Sequence, residues 1–146
     1  LRLNPIDFSD LHLNFPLKYK QMNPEQKVIY MQKLRETYGN QNFIYLKETG
    51  KYYFTKNGVA LEKGWTFYNN MWFFFDLKEF YMLTGYQVVD GEIYYFNEDK
   101  NGTIPYGALV TSAMTPLGFM ANEKGEVPDY KAFVKTTDLE IAKALN

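Results

Sequence analysis

Val28, Met31, Leu34 and Tyr38 recur at intervals of three and four, the spacing that gathers side chains on one face of an α-helix. The punctuation around them agrees. Asn23 is a good N-cap, Pro24 suits the first helical position, and Gln26 stands three after the cap, as in a capping box. Gly39 supplies a C-terminal stop. The pattern predicts a helix from Pro24 to about Tyr38. Before it, Leu11 to Phe15 alternates apolar and polar residues and predicts a short strand.

From Phe43 the period shortens to two, in brief runs split by turn residues. "FIYLKETGKYYF" predicts a hairpin turning near Glu48, Thr49 and Gly50, and "WTFYNNMWFFF" a second turning at Asn69-Asn70. "YQVVDGEIYYF" predicts a third, because Asp90 and Gly91 both tolerate the positive φ of a tight two-residue turn. A more degenerate unit from Ala108 to Met120 turns around Pro116 to Gly118. The tail carries a short helix after Asp138, with Leu139, Ala142 and Leu145 on one side.

The hairpins repeat one another. Phe54, Phe75 and Phe96 stand 21 residues apart, and each closes an aromatic triplet: Tyr52-Tyr53-Phe54, Phe73-Phe74-Phe75 and Tyr94-Tyr95-Phe96. Gly64, Gly85 and Gly107 keep almost the same interval, and the first two precede Trp65 and Tyr86. A fixed period of this kind indicates a solenoid or array. A lone two-stranded hairpin is marginal in water, so stacking of successive hairpins is the way to bury these rings. The predicted fold is mainly β, a stacked β-hairpin solenoid with an N-terminal helix and a short C-terminal helix. Its expected segments are residues 1–42, 43–127 and 128–146.

Composition narrows the class. Of 146 residues, 16 are basic and 17 acidic, with no charged block, so nothing points to nucleic acid or anionic lipid as partner. No apolar run reaches the ~20 residues that span a bilayer. Cysteine is absent, which removes disulfides, thiol catalysis and cysteine-type zinc sites. The chain opens at Leu1 without a signal-peptide pattern, which fits a processed or trimmed form. The distinctive feature is 13 tyrosines and 12 phenylalanines beside Trp65 and Trp72. Tyrosine suits half-exposed surfaces, where its ring is buried and its hydroxyl stays wet.

"GYQVVDGEIYYFNEDKNG" and "GWTFYNNMWFFFD", with the Thr84-Gly85-Tyr86 junction, resemble the cell-wall-binding repeat of Gram-positive surface proteins. That family includes choline-binding modules, glucan-binding repeats of glucosyltransferases and receptor-binding repeats of clostridial toxins. The resemblance covers residues 43–127. It implies an aromatic cage between neighbouring hairpins, which on this sequence is Trp65, Trp72 and Tyr86 with Met82 nearby. Ring faces carry negative charge density and attract a quaternary ammonium. The next cage meets Ile93 where the family has tryptophan, and Ile93 offers no π face. A glucan-type reading uses Trp65, Tyr68, Asn69, Asn70 and Tyr86 against sugar faces and hydroxyls. Strand alternation places Trp65 with Phe67 and Trp72 with Phe74, leaving Phe73 and Phe75 to the opposite face.

Other chemistry finds little support. Asn97, Asp99, Asn101 and Gly102 open like a calcium loop, but Ala108 stands where the loop needs its bidentate Glu. His12 is the one histidine, and Ser9 and Ser112 lie in no nucleophile motif. No metal, cofactor or catalytic constellation is expected. The resemblance implies a non-catalytic module that attaches a secreted, cell-surface bacterial protein to cell-wall or extracellular glycan, either choline-decorated teichoic acid or glucan. Binding by so few repeats would gain from a homodimer or a longer parent chain. The alternative is a structural or protein-interaction repeat with no small-ligand site.

Overall fold

The computed structural model describes residues 17–145. The strand expected at Leu11 to Phe15 lies outside them, as does His12. Helices α1 (Leu17–Gln21) and α2 (Pro24–Tyr38) precede three hairpins: β1 (Phe43–Leu46) with β2 (Lys51–Phe54), β3 (Gly64–Tyr68) with β4 (Met71–Phe75), and β5 (Gly85–Val89) with β6 (Glu92–Phe96). A minimal fourth, β7 (Ala113–Met114) and β8 (Met120–Ala121), is followed by α3 (Pro128–Thr137) and α4 (Leu139–Leu145). Each sheet has two strands. The architecture is therefore helices combined with small antiparallel hairpins. The chain divides into two compact units across the β3–β4 hairpin. One runs to Thr66 and takes in Phe74–Met82. The other takes in Phe67–Phe73 and continues from Leu83.

In the first unit, α2 starts and stops where the sequence requires. The Asn23 side chain accepts from the Gln26 N–H at 2.8 Å, and the Gln26 side chain accepts from the Asn23 N–H at 3.0 Å. Gly39 has φ 81 and its N–H donates to the Arg35 carbonyl. The buried face differs from the sequence expectation. Val28 is exposed, whereas Tyr30, Met31 and Leu34 are buried. Helix α1, absent from the sequence expectation, packs its Tyr19 ring 5.7 Å from Tyr30 and so adds Tyr30 to the buried face. Ile44, Leu46, Tyr53 and Leu61 complete that core. The Tyr19 hydroxyl accepts from the Leu61 N–H at 3.1 Å.

The repeat phenylalanines meet in this unit. Phe54 and Phe75 both have zero exposure, their ring centroids lie 5.7 Å apart, and Phe43 packs on Phe54 at 4.9 Å. The segment after the second triplet turns back, so that Met82 bridges Phe75 and its N–H donates to the Tyr52 carbonyl at 2.8 Å. Aromatic contact and backbone bond thus join one hairpin to the next at the same point.

The second unit is built on β5–β6, in register from Gly85↔Phe96 to Val89↔Glu92. Asp90 (φ 50) and Gly91 (φ 80) make the expected turn. Asn69 (φ 53) and Asn70 (φ 63) do the same for β3–β4. The Leu109 N–H donates to the Trp72 carbonyl at 2.8 Å, while Leu109 itself bridges Phe96. Asn97 organises this connector: its Nδ2 donates to the carbonyls of Asp99 and Ile104 and its Oδ1 accepts from the Asp99 N–H. The calcium-like spacing is accordingly a side-chain-closed turn. Helix α3 was not anticipated. Pro128 at its first turn, with Tyr130, Phe133 and Val134 at helical spacing, was the available signal. Leu145 of α4 is buried as expected, but Leu139 is exposed.

Phe75→Ala should lower stability by about 3–5 kcal/mol, measured by urea unfolding. A loss under ~1 kcal/mol would mean that the phenylalanine stack is not the core of this unit. Burial also raises the phenols of Tyr30, Tyr53 and Tyr19 above the ordinary tyrosine value of 10.0. The folded state then holds these protons more tightly than the unfolded state. That stability is whole below 10.0 and is lost as pH climbs from there toward the folded values. A melting temperature that falls steeply on entering this alkaline range is expected. One that stays flat would contradict it.

Candidate functional site

The burial of β3 follows its pleat: Thr66 is buried, while Trp65 and Phe67 stay exposed. In the first unit, Trp65 sits edge-on to Phe74, with centroids 5.2 Å apart and planes at 85°. That contact covers Phe74, which alternation would otherwise expose, and leaves Trp65 at 36 % exposure. Met82, expected beside the cage, is only 6 % exposed. It bridges Phe75 in the core of this unit, where a surface ligand meets little of it.

In the second unit, Trp72 (44 % exposed) lies against Phe67 (49 % exposed), with centroids 4.9 Å apart. Tyr68 and Asn70 are exposed beside the turn. Phe67 was not among the expected ligand residues, although its alternation with Trp65 was already the signal for an outward ring. The pair offers a tilted aromatic wall with an amide at its edge. Such a surface can stack a sugar face or hold a cation, through C–H contacts and ring quadrupoles respectively.

Tyr86 has a different setting. Its ring stacks on Tyr130 of α3 at 3.9 Å and 7°, and lies 4.8 Å from Tyr95. Its hydroxyl shares a 2.7 Å hydrogen bond with Thr115 Oγ1 and also donates to the Pro116 carbonyl. Burial raises the Tyr86 phenol, the Thr115 bond opposes this, and Tyr130 and Glu98 add to the rise. Ile93 is buried with Val134 of α3 and Leu145 of α4. The C-terminal helices therefore cover the residues where a second cage would open. Lys131 reinforces that cover through a 2.7 Å ion pair with Glu92. Among the described residues, no group of three or more acidic or histidine side chains could hold a metal.

Fold and site together define a small aromatic hairpin module with outward-facing rings. No known protein-family description matches the chain, and no curated protein sequence does. Among its structural neighbours are choline-binding proteins and modules. Choline-binding protein F from Streptococcus pneumoniae is 26 % identical, with a TM-score of 0.48, over 60 % of this chain and 26 % of its own. A choline-binding domain from the same organism is 21 % identical, with a TM-score of 0.46, over 62 % of this chain and 96 % of its own. The choline-complexed cell-wall endolysin of phage Cp-1 is 20 % identical, with a TM-score of 0.35, over 58 % of this chain and 23 % of its own. The chain thus spans about a quarter of the length of choline-binding protein F.

Tyr86→Phe should cost about 1 kcal/mol by removing a hydroxyl with two acceptors nearby, whereas Tyr130→Ala should cost more by also unstacking the ring. Thermal unfolding in which Tyr86→Phe proves the more damaging would reverse that assignment of roles.

Proposed function

We propose that this chain is a non-catalytic module that attaches a secreted bacterial protein to cell-wall or extracellular glycan, either choline-decorated teichoic acid or glucan. The observation that carries the reading is the exposed Phe67–Trp72 pair. Two large rings left in water cost hydrophobic stabilisation that a core position would recover, and a ligand that covers them restores it. Tyr68 and Asn70 extend this ligand surface, and Trp65 offers a separate ring in the first unit. Tyr86 contributes the part of its half-buried ring that Tyr130 leaves open, and Met82 supports Phe75 in the first unit rather than meeting the ligand. The 21-residue repeat is read as a short hairpin solenoid, with α2 and the α3–α4 pair as its caps. The setting is the cell surface. No described helix is long and apolar enough to cross a membrane.

Each site is shallow, so its binding is millimolar to high-micromolar, about 4–6 kcal/mol. Avidity comes from tandem sites in a longer chain or from a homodimer. A second reading, a structural or protein-interaction module, is favoured by one observation: Tyr86 and Ile93 are already covered by α3 and α4.

Titration with choline and with short α- and β-glucans, followed by tryptophan fluorescence, separates the two readings. A saturable change that is lost in Trp72→Ala, with Trp65 still present as reporter, is expected. Silence toward every ligand in both proteins would leave the interaction reading standing and remove this one.

A further inference from the structure

A second, chemically different pocket lies in the first unit. It has a volume of ≈ 290 Å³ and is lined by Arg35, Asn40, Gln41, Asn42, Lys56 and Asn57, with Thr55 and Gly58 in its wall. No ring and no carboxylate lines it. Its size is near the lower end of small-molecule sites, ~300 Å³, which is room for one sugar ring rather than an oligosaccharide.

Several backbone carbonyls of the wall are already bonded. Asn42 Nδ2 donates to the Thr55 carbonyl at 3.0 Å and to the Lys56 carbonyl at 3.3 Å. Arg35 donates through Nη1 to the Gly58 carbonyl. Asn57 Oδ1 accepts from the Val59 N–H at 3.1 Å, and Thr55 Oγ1 from the Gly58 N–H at 2.9 Å. Arg35 and Lys56 line the pocket and no carboxylate does, so it favours a ligand that brings acceptors and negative charge. Arg35 and Lys56 have no carboxylate partner among the described residues. The nearby C-terminal end of α2 carries about half a negative charge, which the two full positive charges outweigh. Gly58 is part of the construction. At φ +72 it adopts a backbone that favours glycine, and a Cβ there would stand 2.7 Å from Arg35 Cδ.

We propose that this pocket binds an anionic sugar unit, a hydroxylated ring bearing a carboxylate or a phosphate. The charged group lies between Arg35 and Lys56, and the amides of Asn40 and Gln41 take the hydroxyls. This site does not rest on the exposed aromatic pair and stands or falls apart from it.

The test is NMR titration of the chain with glucuronate, glucose 6-phosphate, methyl glucoside and inorganic phosphate, observed at the amides of Asn40, Gln41 and Gly58. At least one charged sugar should shift these amides saturably, and the shift should weaken with salt. The neutral glycoside should leave them unmoved at equal concentration. Glucuronate against glucose 6-phosphate tells which anion is preferred. Lys56→Gln, an exposed change, should weaken binding roughly fivefold. Arg35→Gln should weaken it further, and Gly58→Ala, which displaces Arg35, should act like Arg35→Gln. If Arg35→Gln fails to fold, Lys56→Gln still decides. The proposal is overturned by three results: neutral and charged sugars binding alike, free phosphate matching the sugar phosphate, or Lys56→Gln binding as the parent does.

Discussion

A two-stranded hairpin has two faces and can cover neither, and every other feature of this chain answers to that constraint. The phenylalanine that closes each aromatic triplet has no exposure, at Phe54, Phe75 and Phe96 alike. No single hairpin provides such burial. In the first unit it comes from ring contact between successive repeats, with Met82 turning back to bond the Tyr52 carbonyl. In the second unit the connector does the corresponding work, with Leu109 bonded to the Trp72 carbonyl and bridging Phe96. The polar runs after each triplet are therefore structural straps as much as turns. Asn97 illustrates this, since one amide holds several connector backbone groups.

The same constraint divides the rings. Alternation along a strand sends neighbouring aromatics to opposite sides, and on the outer side of β3–β4 cover reaches Phe74 but not Phe67 or Trp72. Phe73 and Phe75 point inward, while Phe67 and Trp72 stay in water. At the C-terminal end the balance shifts. Helices α3 and α4 close over Ile93, and Tyr130 stacks on Tyr86. Two residues with the same family-type spacing, Trp65 and Tyr86, thus have different surroundings. What differs is the element packed on them: a phenylalanine ring of its own hairpin in one case, a helix in the other.

Much of the architecture was legible in the residues because the signals are local. The cap Asn23 with Gln26, the stop at Gly39, and the turns Asn69-Asn70 and Asp90-Gly91 each depend on the backbone preference of a few neighbouring residues. The 21-residue spacing of the closing phenylalanines located the hairpins for the same reason. Helix α3 was missed although its signals are local too: Pro128 opens it, and Tyr130, Phe133, Val134 and Thr137 recur at helical spacing. The buried face of α2 was read correctly at Met31 and Leu34, with Tyr38 packed on the same core, but Val28 is exposed and Tyr30 is buried against Tyr19 of the preceding helix.

By itself, then, the sequence determined the hairpins, their turns, their repeat and the capped helix, since dihedral preference and side-chain alternation operate over a few bonds. It also determined that Trp65 and Phe67 leave their strand on the same side. Only the tertiary structure decided which outward rings remain in water. Exposure is a property of what packs against a residue, and that packing is set by chain segments far away along the sequence. The polar pocket belongs wholly to this second category. Arg35 and Gly58 come from a helix and from a loop 23 residues further on, and no local pattern could announce their meeting.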